Sequence, residues 1–357
     1  MQFRENIGID LITVSSMGVR ITPVNRQPVH TSRYYEMQST SAETNVLNVS
    51  AALGKRTKVL TRFVKDSAIA AFIKGDLRRR NIAYEGQEIA QGGAWGYRHQ
   101  FNIADSGFGP RGPRVLNDRA GEVGRTIEPG DFDLERIFGT EGCGILHLSG
   151  LFAALSDQTE ATCLKVAEIA KANGTRFSFD LNYRASFWKG REEQLRASFT
   201  KLASMADILI GNEEDFQLAL GVEGPAAGGE DISGKIDAFK AMIEAAARRF
   251  PNVQVFATTL REVRSANRHN WGAIMFCDGK WYVEMPREID VLDRIGGGDG
   301  FVGGLLYAML RGWESEKWLQ FGWAAGAMAA ASTEDYATPA DEEQVWSVYQ
   351  GNARVKR

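Results

Sequence analysis

Residues 145–182, ILHLSGLFAALSDQTEATCLKVAEIAKANGTRFSFDLN, contain the pattern that decides the fold. Two short apolar runs, ILHLSG and RFSFDLN, flank a segment with helical periodicity. Ser156 or Asp157 is placed to cap the start of that helix, and Gly174 is placed to end it. A strand, a helix and a second strand in this order are typical of a parallel sheet with a crossover helix.

The same alternation continues toward the carboxyl terminus. Apolar runs begin 31 residues apart at Ile145, Arg176 and Asp207. A fourth run, VQVFATT, begins at Val253 after a longer interval that contains a predicted loop at 221–234. The repeat predicts an α/β fold built on a parallel sheet.

Strand signals outside this alternation predict a smaller sheet. GVRITPV and WGYRHQFNI have the character of strands, and they suit a β lid over the mouth of the large sheet, in segments of about 17–38 and 92–118. WGAIMFCDGKWYVEM predicts a hairpin that turns at Asp278 and Gly279, because both residues tolerate positive φ. We predict one domain over residues 1–357, with the lid segments inserted in it.

Composition excludes several classes of protein. The 44% of apolar residues and 24% of charged residues are typical of a globular chain, and a formal charge of −3 gives no basic excess for nucleic acid. The three cysteines form no CxxC pair, which predicts a reducing, cytoplasmic location. The start lacks a secretion signal, and the longest weakly polar run is shorter than the ~18 residues of a membrane span, so we expect no membrane partner.

Polar side chains follow each predicted strand at its carboxyl end, where ligands of open parallel sheets bind. One such ending would mean little, since these residue types also cap helices. Four successive strands that all end in polar residues predict a ligand-binding crevice lined by polar side chains. The residues are Ser149, Asp180, Asn182, Arg184, Asn212, Glu213, Glu214, Asp215, Thr258 and Thr259.

The sequence RIGGGDGFVGG at 294–304 predicts where a phosphate binds. Gly296, Gly297 and Gly298 lead into a helix that we expect to begin near Asp299, so their amides and the helix start would surround an anion. The stretch is neither a P-loop nor a GxGxxG dinucleotide motif. It predicts a phosphate-transferring site of another type.

Asp299 has two interpretations. It would either cap the following helix, for about 1 kcal/mol, or accept the proton of a substrate hydroxyl that attacks the γ-phosphate of ATP. An aspartate with an ordinary pKa of ~3.9 is too weak to remove that proton in advance. Its role would then be to orient the hydroxyl and take the proton late in the transfer.

Several motifs together resemble a known family. DRIGGGDGFVGG resembles the signature of the ribokinase-like (PfkB) carbohydrate kinases. FDLNYRASFW, LIGNEEDF, AETNVLNVSAALG and NDRAGE resemble the branch of 2-keto-3-deoxygluconate kinases, and the matches run from about residue 17 to 345. The resemblance implies a three-layer α/β/α sandwich with a small β-sheet lid, ATP and Mg²⁺ as cosubstrates, and a homo-oligomer, either a dimer through the lid or a higher assembly.

The resemblance also implies roles for individual residues. Asp299 is the expected catalytic base, and Gly296, Gly297 and Gly298 with the Asp299 amide form the expected anion hole. Asn212 and Thr259 would lie along the nucleotide. The residues expected to face the sugar acid are Asn45, Arg119 and Arg184, with Asp335 closing the site near the substrate.

The two arginines also have a physical rationale. A keto-deoxy sugar acid carries a carboxylate, and a guanidinium offers it a planar, paired contact. The alternative for Arg184 is a structural salt bridge. For Arg119 it is a surface ion pair with the neighbouring Asp118, which would contribute little.

Several departures from the family pattern leave alternatives open. ATTLREVRSANRH at 257–269 replaces the family's glycine-containing nucleotide loop with a longer, more basic one. Thr40 and Ser41 stand where the branch has a glycine pair, and Asp215 stands where the family has a glutamate, so a metal role for Asp215 would be indirect. We expect an ATP-dependent kinase for the terminal hydroxyl of 2-keto-3-deoxygluconate. The alternatives are a related kinase for another keto sugar acid or a neutral ketose, as in fructokinases, and a non-catalytic sugar-binding regulator.

Overall fold

The computed structural model describes residues 1–226 and 231–352; residues 227–230 of the predicted loop and residues 353–357 of the predicted domain lie outside that description. The strands form two main sheets and a third sheet of only two short strands, the fifth and the seventh. They are β1 (Ile9–Val14), β2 (Gly18–Pro23), β3 (Tyr35–Thr40), β4 (Thr57–Leu60), β5 (Phe63–Val64), β6 (Ile82–Glu85), β7 (Glu88–Ile89), β8 (Gln100–Asp105), β9 (Arg114–Asp118), β10 (Cys143–Ser149), β11 (Arg176–Asp180), β12 (Ile208–Ile210), β13 (Val255–Ser265), β14 (Arg268–Cys277) and β15 (Lys280–Asp290).

The central sheet has the strand order β15-β14-β13-β12-β11-β10-β1-β4-β6. Neighbours from β13 to β6 are parallel, and β13, β14 and β15 form an antiparallel meander at one edge. Asp278 and Gly279 turn the last hairpin with φ values of 51° and 72°, as predicted. The prediction that the fourth parallel strand ends at Thr259 is wrong, because β13 pairs with β14 as far as Ser265.

Helices cover both faces of this sheet. They are α1 (Ala42–Ala52), α2 (Ala68–Arg79), α3 (Gly150–Ala153), α4 (Asp157–Ala172), α5 (Ala185–Trp188), α6 (Glu192–Met205), α7 (Glu213–Leu220), α8 (Ile236–Arg249), α9 (Gly297–Leu310), α10 (Ser315–Ala330) and α11 (Glu342–Tyr349). One hydrophobic core lies under α4, α6 and α8, and the other under α1, α9 and α10. Ile208 and Ile210 belong to one core and Leu209 to the other, because successive strand side chains point to opposite faces. The predicted α/β/α class is confirmed.

The boundaries of α4 follow from its terminal residues. Ser156 is the N-cap: its hydroxyl accepts from the Thr159 amide at 3.2 Å, and the Thr159 hydroxyl accepts from the Ser156 amide at 2.9 Å. This reciprocal pair satisfies two amides that the helix itself leaves without partners. Gly174 follows the other end with a φ of 77°, a left-handed conformation that glycine adopts readily.

The smaller sheet has the strand order β3-β2-β8-β9. Its strands pair antiparallel except for the parallel pair β2 and β8. The predicted strand WGYRHQFNI is partly wrong, because β8 begins at Gln100 and not at Trp95. The action of this sheet as a lid stays a prediction. Within the described residues, no helix has the length and apolar character to cross a membrane.

Candidate active site

The glycine cluster forms the first turn of α9. The helix begins at Gly297, two residues before the start expected near Asp299. Gly296 precedes it with a φ of 84°, and a β-carbon on Gly296 would lie 1.8 Å from the carbonyl oxygen of Asp335. Glycine is therefore required there for both conformation and space. The amide of Gly297 lies 3.5 Å from the Arg294 carbonyl oxygen, and the next amides, of Gly298 and Asp299, have no acceptor within the helix and are available to an anion.

Asp299 lies in this first turn, but it does not cap the helix. The capping position belongs to Gly296, which rules out the alternative that Asp299 is an N-cap. The Oδ2 of Asp299 accepts a hydrogen bond from the Asn45 amide at 2.9 Å. Burial raises the pKa of Asp299 to about 7, and the negative charges of Asp335 and Glu43 act in the same direction. Asp299 is thus placed to hold a proton near neutral pH.

A cleft of about 950 Å³ contains Asp299 and runs along the carboxyl ends of β11 and β12 to the small sheet. The structure brings almost all of the predicted site residues to its wall. Gly297 is the exception: it is buried, with Trp271 beside it. The predicted residues that line the cleft are Asn45, Arg119, Arg184, Asn212, Asp215, Thr259, Gly296, Gly298, Asp299 and Asp335.

Arg184 is exposed on the cleft wall after β11. Its Nη1 donates to the carbonyl oxygen of Tyr183 at 2.7 Å. It makes no ion pair with any residue that the structure describes, which rules out the structural salt bridge within that part of the chain. The remaining guanidinium N–H groups are available to a carboxylate.

Arg119 has a protein partner that the sequence did not indicate. Its Nη1 donates to Oε1 of the buried Glu122 at 2.7 Å, whereas Asp118 pairs with Arg98. The predicted surface pair with Asp118 is therefore wrong. The Arg119 guanidinium also lies 5.2 Å from the ring centre of Phe187. Arg119 is half-buried and held on two sides at the edge of the cleft.

Asp335 is almost fully buried directly beside the glycine turn. Its Oδ1 accepts from Arg20, and its Oδ2 accepts from the Thr40 hydroxyl at 2.8 Å. Both carboxylate oxygens already have partners inside the protein, so the geometry favours a supporting role for Asp335. The contact of Asp335 with substrate stays a prediction. Ser41, next to Thr40, caps α1 by accepting from the Thr44 amide at 3.1 Å.

Asn212 and Asp215 cap α7 reciprocally. The Asn212 side chain accepts from the Asp215 amide at 2.9 Å, and Asp215 Oδ2 accepts from the Asn212 amide at 2.8 Å. Asp215 Oδ1 accepts from the Tyr183 amide at 2.8 Å. Burial raises the pKa of Asp215 to about 6 against these hydrogen bonds. Thr259 lines the cleft on the neighbouring strand β13.

Two residues of the site, Arg20 and Arg261, were not singled out from the sequence, and the strongly raised pKa of a third, Asp180, was not expected from it. Arg20, fully buried in β2, pairs with Asp293 and Asp335 on both sides of the glycine turn. Asp180 lies at the end of β11, where burial and the charges of Asp215 and Asp299 raise its pKa well above the usual range. Arg261 lies on the part of β13 that was predicted as loop. Thr259 and Arg261 are two residues apart, a spacing that puts both side chains on one face of a strand, and this pattern could have indicated that the strand continues through Arg261.

The carboxylates do not form a ready-made metal cage. Among residues 1–226 and 231–352, no three His, Cys, Asp or Glu side chains converge to hold a metal ion. The oxygen donors present are of the hard type that Mg²⁺ prefers, and Mg²⁺ in such sites commonly keeps several waters and phosphate ligands.

The sequence matches one family signature and several known proteins, and all of them are described as carbohydrate kinases. The sequence signature described as pfkB family carbohydrate kinase matches residues 142–253 and 269–342. The chain is 25% identical over 351 residues to a 2-dehydro-3-deoxygalactonokinase of Haloferax volcanii, covering 98% of this chain and 99% of that protein. It is 24% identical over 335 residues to a 5-dehydro-2-deoxygluconokinase of Clostridium perfringens, covering 93% and 90%.

The fold matches a solved structure over nearly its whole length. A 2-dehydro-3-deoxygluconokinase of Thermotoga maritima superimposes with a TM-score of 0.85 at 25% identity, covering 96% of this chain and 98% of that one. The names of these three proteins all describe kinases of a deoxy keto sugar acid, but each name gives a different sugar acid.

Proposed function

This chain belongs to the pfkB family of carbohydrate kinases, and from that premise we propose that it phosphorylates the terminal hydroxyl of 2-keto-3-deoxygluconate with ATP as donor. The observation that carries the proposal is the position of Asp299. It lies in the first turn of a glycine-initiated helix, facing a polar cleft, with a pKa raised to about 7.

Asp299 is the proposed general base. A pKa near neutrality suits a group that accepts a proton at physiological pH better than an ordinary aspartate does. The hydrogen bond from Asn45 fixes one carboxylate oxygen, and the other remains to receive the substrate hydroxyl. As the sugar oxygen bonds to the γ-phosphorus and the bond to the β-phosphate oxygen breaks, the hydroxyl proton passes to Asp299.

The start of α9 is the proposed anion hole. The amides of Gly298 and Asp299 belong to the first helical turn, where N–H groups lack helical acceptors, whereas the amide of the buried Gly297 lies 3.5 Å from the Arg294 carbonyl oxygen. Such amides, together with the helix dipole, favour a phosphoryl group that carries charge on three oxygens. Mg²⁺ bound with the nucleotide would offset charge on the phosphates, and Asp180 and Asp215 would reach it through water.

A sugar acid is the proposed acceptor because Arg184 has guanidinium N–H groups facing the cleft with no carboxylate partner in the described chain. The relative from Thermotoga maritima supports the glucono acid. The relative from Haloferax volcanii, matched over 98% of this chain, favours 2-keto-3-deoxygalactonate as a second candidate. The two acids are epimers.

A coupled assay of ADP release over a panel of sugars tests the proposal. The panel contains both epimers, 5-keto-2-deoxygluconate and fructose, with Asp299→Asn as the inactive control. We expect the highest kcat/KM with 2-keto-3-deoxygluconate and a loss of about 10³-fold or more in the variant, with ATP binding retained. Turnover of fructose alone would refute the proposed substrate. Near-normal turnover by Asp299→Asn would refute Asp299 as the general base.

We also propose that the small sheet forms a homodimer interface. Its edge strands β3 and β9 expose Tyr35, Met37 and Leu116, the last with 63% of its surface accessible. Light scattering would show a dimer that Leu116→Lys weakens. Leu218→Lys, at another exposed leucine on α7, serves as the control. A monomeric wild type, or a dimer that Leu116→Lys leaves intact, would contradict the proposal.

A further inference from the structure

The extension of β13 beyond Thr259 brings a guanidinium group, that of Arg261, to the cleft. Thr259, Arg261 and Val263 alternate along this strand and all line the cleft. Arg261 lies opposite Trp271 of β14 in the ladder. A strand fixes the direction of its side chains more firmly than a loop does, so Arg261 is presented by a rigid element.

Arg294 reaches the same region from the glycine turn. It stands two residues before Gly296 and lines both the main cleft and a second cavity of about 440 Å³ beside it. Within the described part of the chain, neither Arg261 nor Arg294 makes a side-chain hydrogen bond or an ion pair. Arg264, three residues along β13, differs: its Nη1 lies 3.1 Å from Oε1 of Glu262.

The charges of these arginines act on one another. Arg261 is exposed to solvent in the open cleft, but desolvation by the surrounding wall, followed by the charges of Arg294 and Arg184, lowers its pKa to about 10, and Glu213 acts in the opposite direction. Burial lowers the pKa of His269 to about 4, and Arg261 and Arg294 add to that effect. A positive field of this kind in a concave wall favours an anionic ligand.

We propose that Arg261 and Arg294 bind the β- and γ-phosphates of the nucleotide donor. The inference rests on the proposed function, because it assumes that a nucleoside triphosphate enters this cleft. It adds two residues to the phosphate site that lie outside the glycine turn and are supplied from β13 and from the segment before α9.

The position of the pair favours a polyphosphate over the sugar carboxylate. Arg261 belongs to β13, next to β12, whose end carries Asn212 of the proposed nucleotide side. Asn45 and Arg119, on the proposed sugar side, belong to α1 and to the segment after β9. One guanidinium suffices for a carboxylate, whereas a triphosphate carries enough charge for two further guanidinium groups beside the helix start.

Calorimetric titration with AMP, ADP and ATP tests the proposal in wild type, Arg261→Gln, Arg294→Gln and the control Arg264→Gln. We expect each cleft variant to bind ADP and ATP about 10–100-fold more weakly, as loss of a charge-assisted hydrogen bond predicts. Binding of AMP should change less than about 3-fold, because AMP lacks the β- and γ-phosphates. Arg264→Gln should resemble wild type, because its guanidinium is engaged by Glu262.

Other results have distinct meanings. An equal loss for all three nucleotides, or no loss, overturns the inference. A rise in the KM of the sugar acid with unchanged ATP affinity assigns the pair to the carboxylate and also overturns it. Failure of wild type to bind any of these nucleotides overturns the proposed function itself.

Two controls separate loss of charge from loss of folding. Arg261→Lys keeps the positive charge and should restore part of the ATP affinity. Thermal melts of each variant show whether it is folded.

Discussion

Arg20 of the small sheet and Asp335 after α10 form a fully buried ion pair beside Gly296, the residue that initiates α9. The other side of the Arg20 guanidinium pairs with Asp293, which precedes the glycine turn. One strand of the small sheet thus holds both segments that flank the proposed phosphate site. The position of the proposed anion hole therefore depends on the small sheet through this contact.

Replacing Arg20 by methionine should destabilise the protein by about 3–5 kcal/mol, because two buried carboxylates would lose their cation. Urea unfolding at about pH 8 measures this difference. The loss should shrink as the pH is lowered toward 5. Burial already raises the pKa of Asp293 and the Arg20 charge lowers it, so without the guanidinium that folded-state pKa would rise further, and protonation would relieve the folded variant more than its unfolded chain.

Arg56→Met is the matched control for the Arg20 substitution. Arg56 also pairs with an aspartate, Asp10, but 57% of its side chain is exposed. An exposed pair of this kind should contribute less than about 1 kcal/mol. Equal losses in the two variants would show that Arg20 does not act as a buried anchor.

The glycine turn predicts opposite outcomes for two alanine substitutions. Gly296→Ala should destabilise by more than about 2 kcal/mol, because it combines a positive φ with a contact of 1.8 Å to Asp335. Gly298 has no neighbour within 4 Å and helical φ, so Gly298→Ala should keep or slightly raise the free energy of unfolding.

Activity separates the two glycine roles. Gly298 lines the cleft, so its β-carbon would crowd the proposed phosphate site and raise the KM of ATP although the fold is intact. Denaturant unfolding and steady-state kinetics on both variants check this pattern. A stable Gly298→Ala enzyme with wild-type kinetics would contradict the anion hole.

Local signals were sufficient to predict much of the fold. The spacing of the strands, the cap at Ser156 and the turn at Asp278 and Gly279 each depend on residues close together in the chain. The glycine turn was predicted for the same reason, since its conformation follows from glycine itself. Patterns of this kind are short-range and survive without knowledge of the tertiary structure.

The contacts that tune the site are long-range and were not predicted. Arg20 and Asp335 are separated by 315 positions, and no local pattern links them. The raised pKa of Asp299 depends on burial and on Asp335 and Glu43, which come from other elements. Arg261 was assigned to a loop because the segment lies at the position of the family's nucleotide loop. Pairing with β14, a long-range contact, makes it part of a strand.

Asp299 predicts how catalysis depends on pH. With a folded-state pKa of about 7, the carboxylate that accepts the proton is the minor form below pH 7. The kcat/KM for the sugar acid should therefore rise about 10-fold per pH unit up to about pH 7 and then level off. A profile that is flat from pH 5 to 8 would show that Asp299 is already ionised or is not the base.

The same group predicts a pH-dependent gain in stability for Asp299→Asn. A carboxyl with a raised folded-state pKa binds more protons in the folded than in the unfolded state between about pH 4 and 7. Its stabilising contribution is complete below its unfolded pKa and is lost as the pH rises through 7. Thermal melts should show a larger difference between variant and wild type at pH 8 than at pH 5, and an equal difference at both would contradict the shift.

Arg184 predicts selectivity for the acid. Two sugars, 2-keto-3-deoxygluconate and 3-deoxyfructose, differ only in whether C1 is a carboxylate or a hydroxymethyl group. Arg184→Gln should lower kcat/KM for the acid by about 10–100-fold and for the neutral sugar by less than about 3-fold, because only the acid loses a charge-assisted contact. Assays at about pH 8.5 keep Asp299 ionised, since loss of the Arg184 charge would raise its pKa further. Arg191→Gln is the control, because the Arg191 guanidinium is held by the Ala154 carbonyl and Glu160. Equal losses for the two sugars in Arg184→Gln would reject the carboxylate contact.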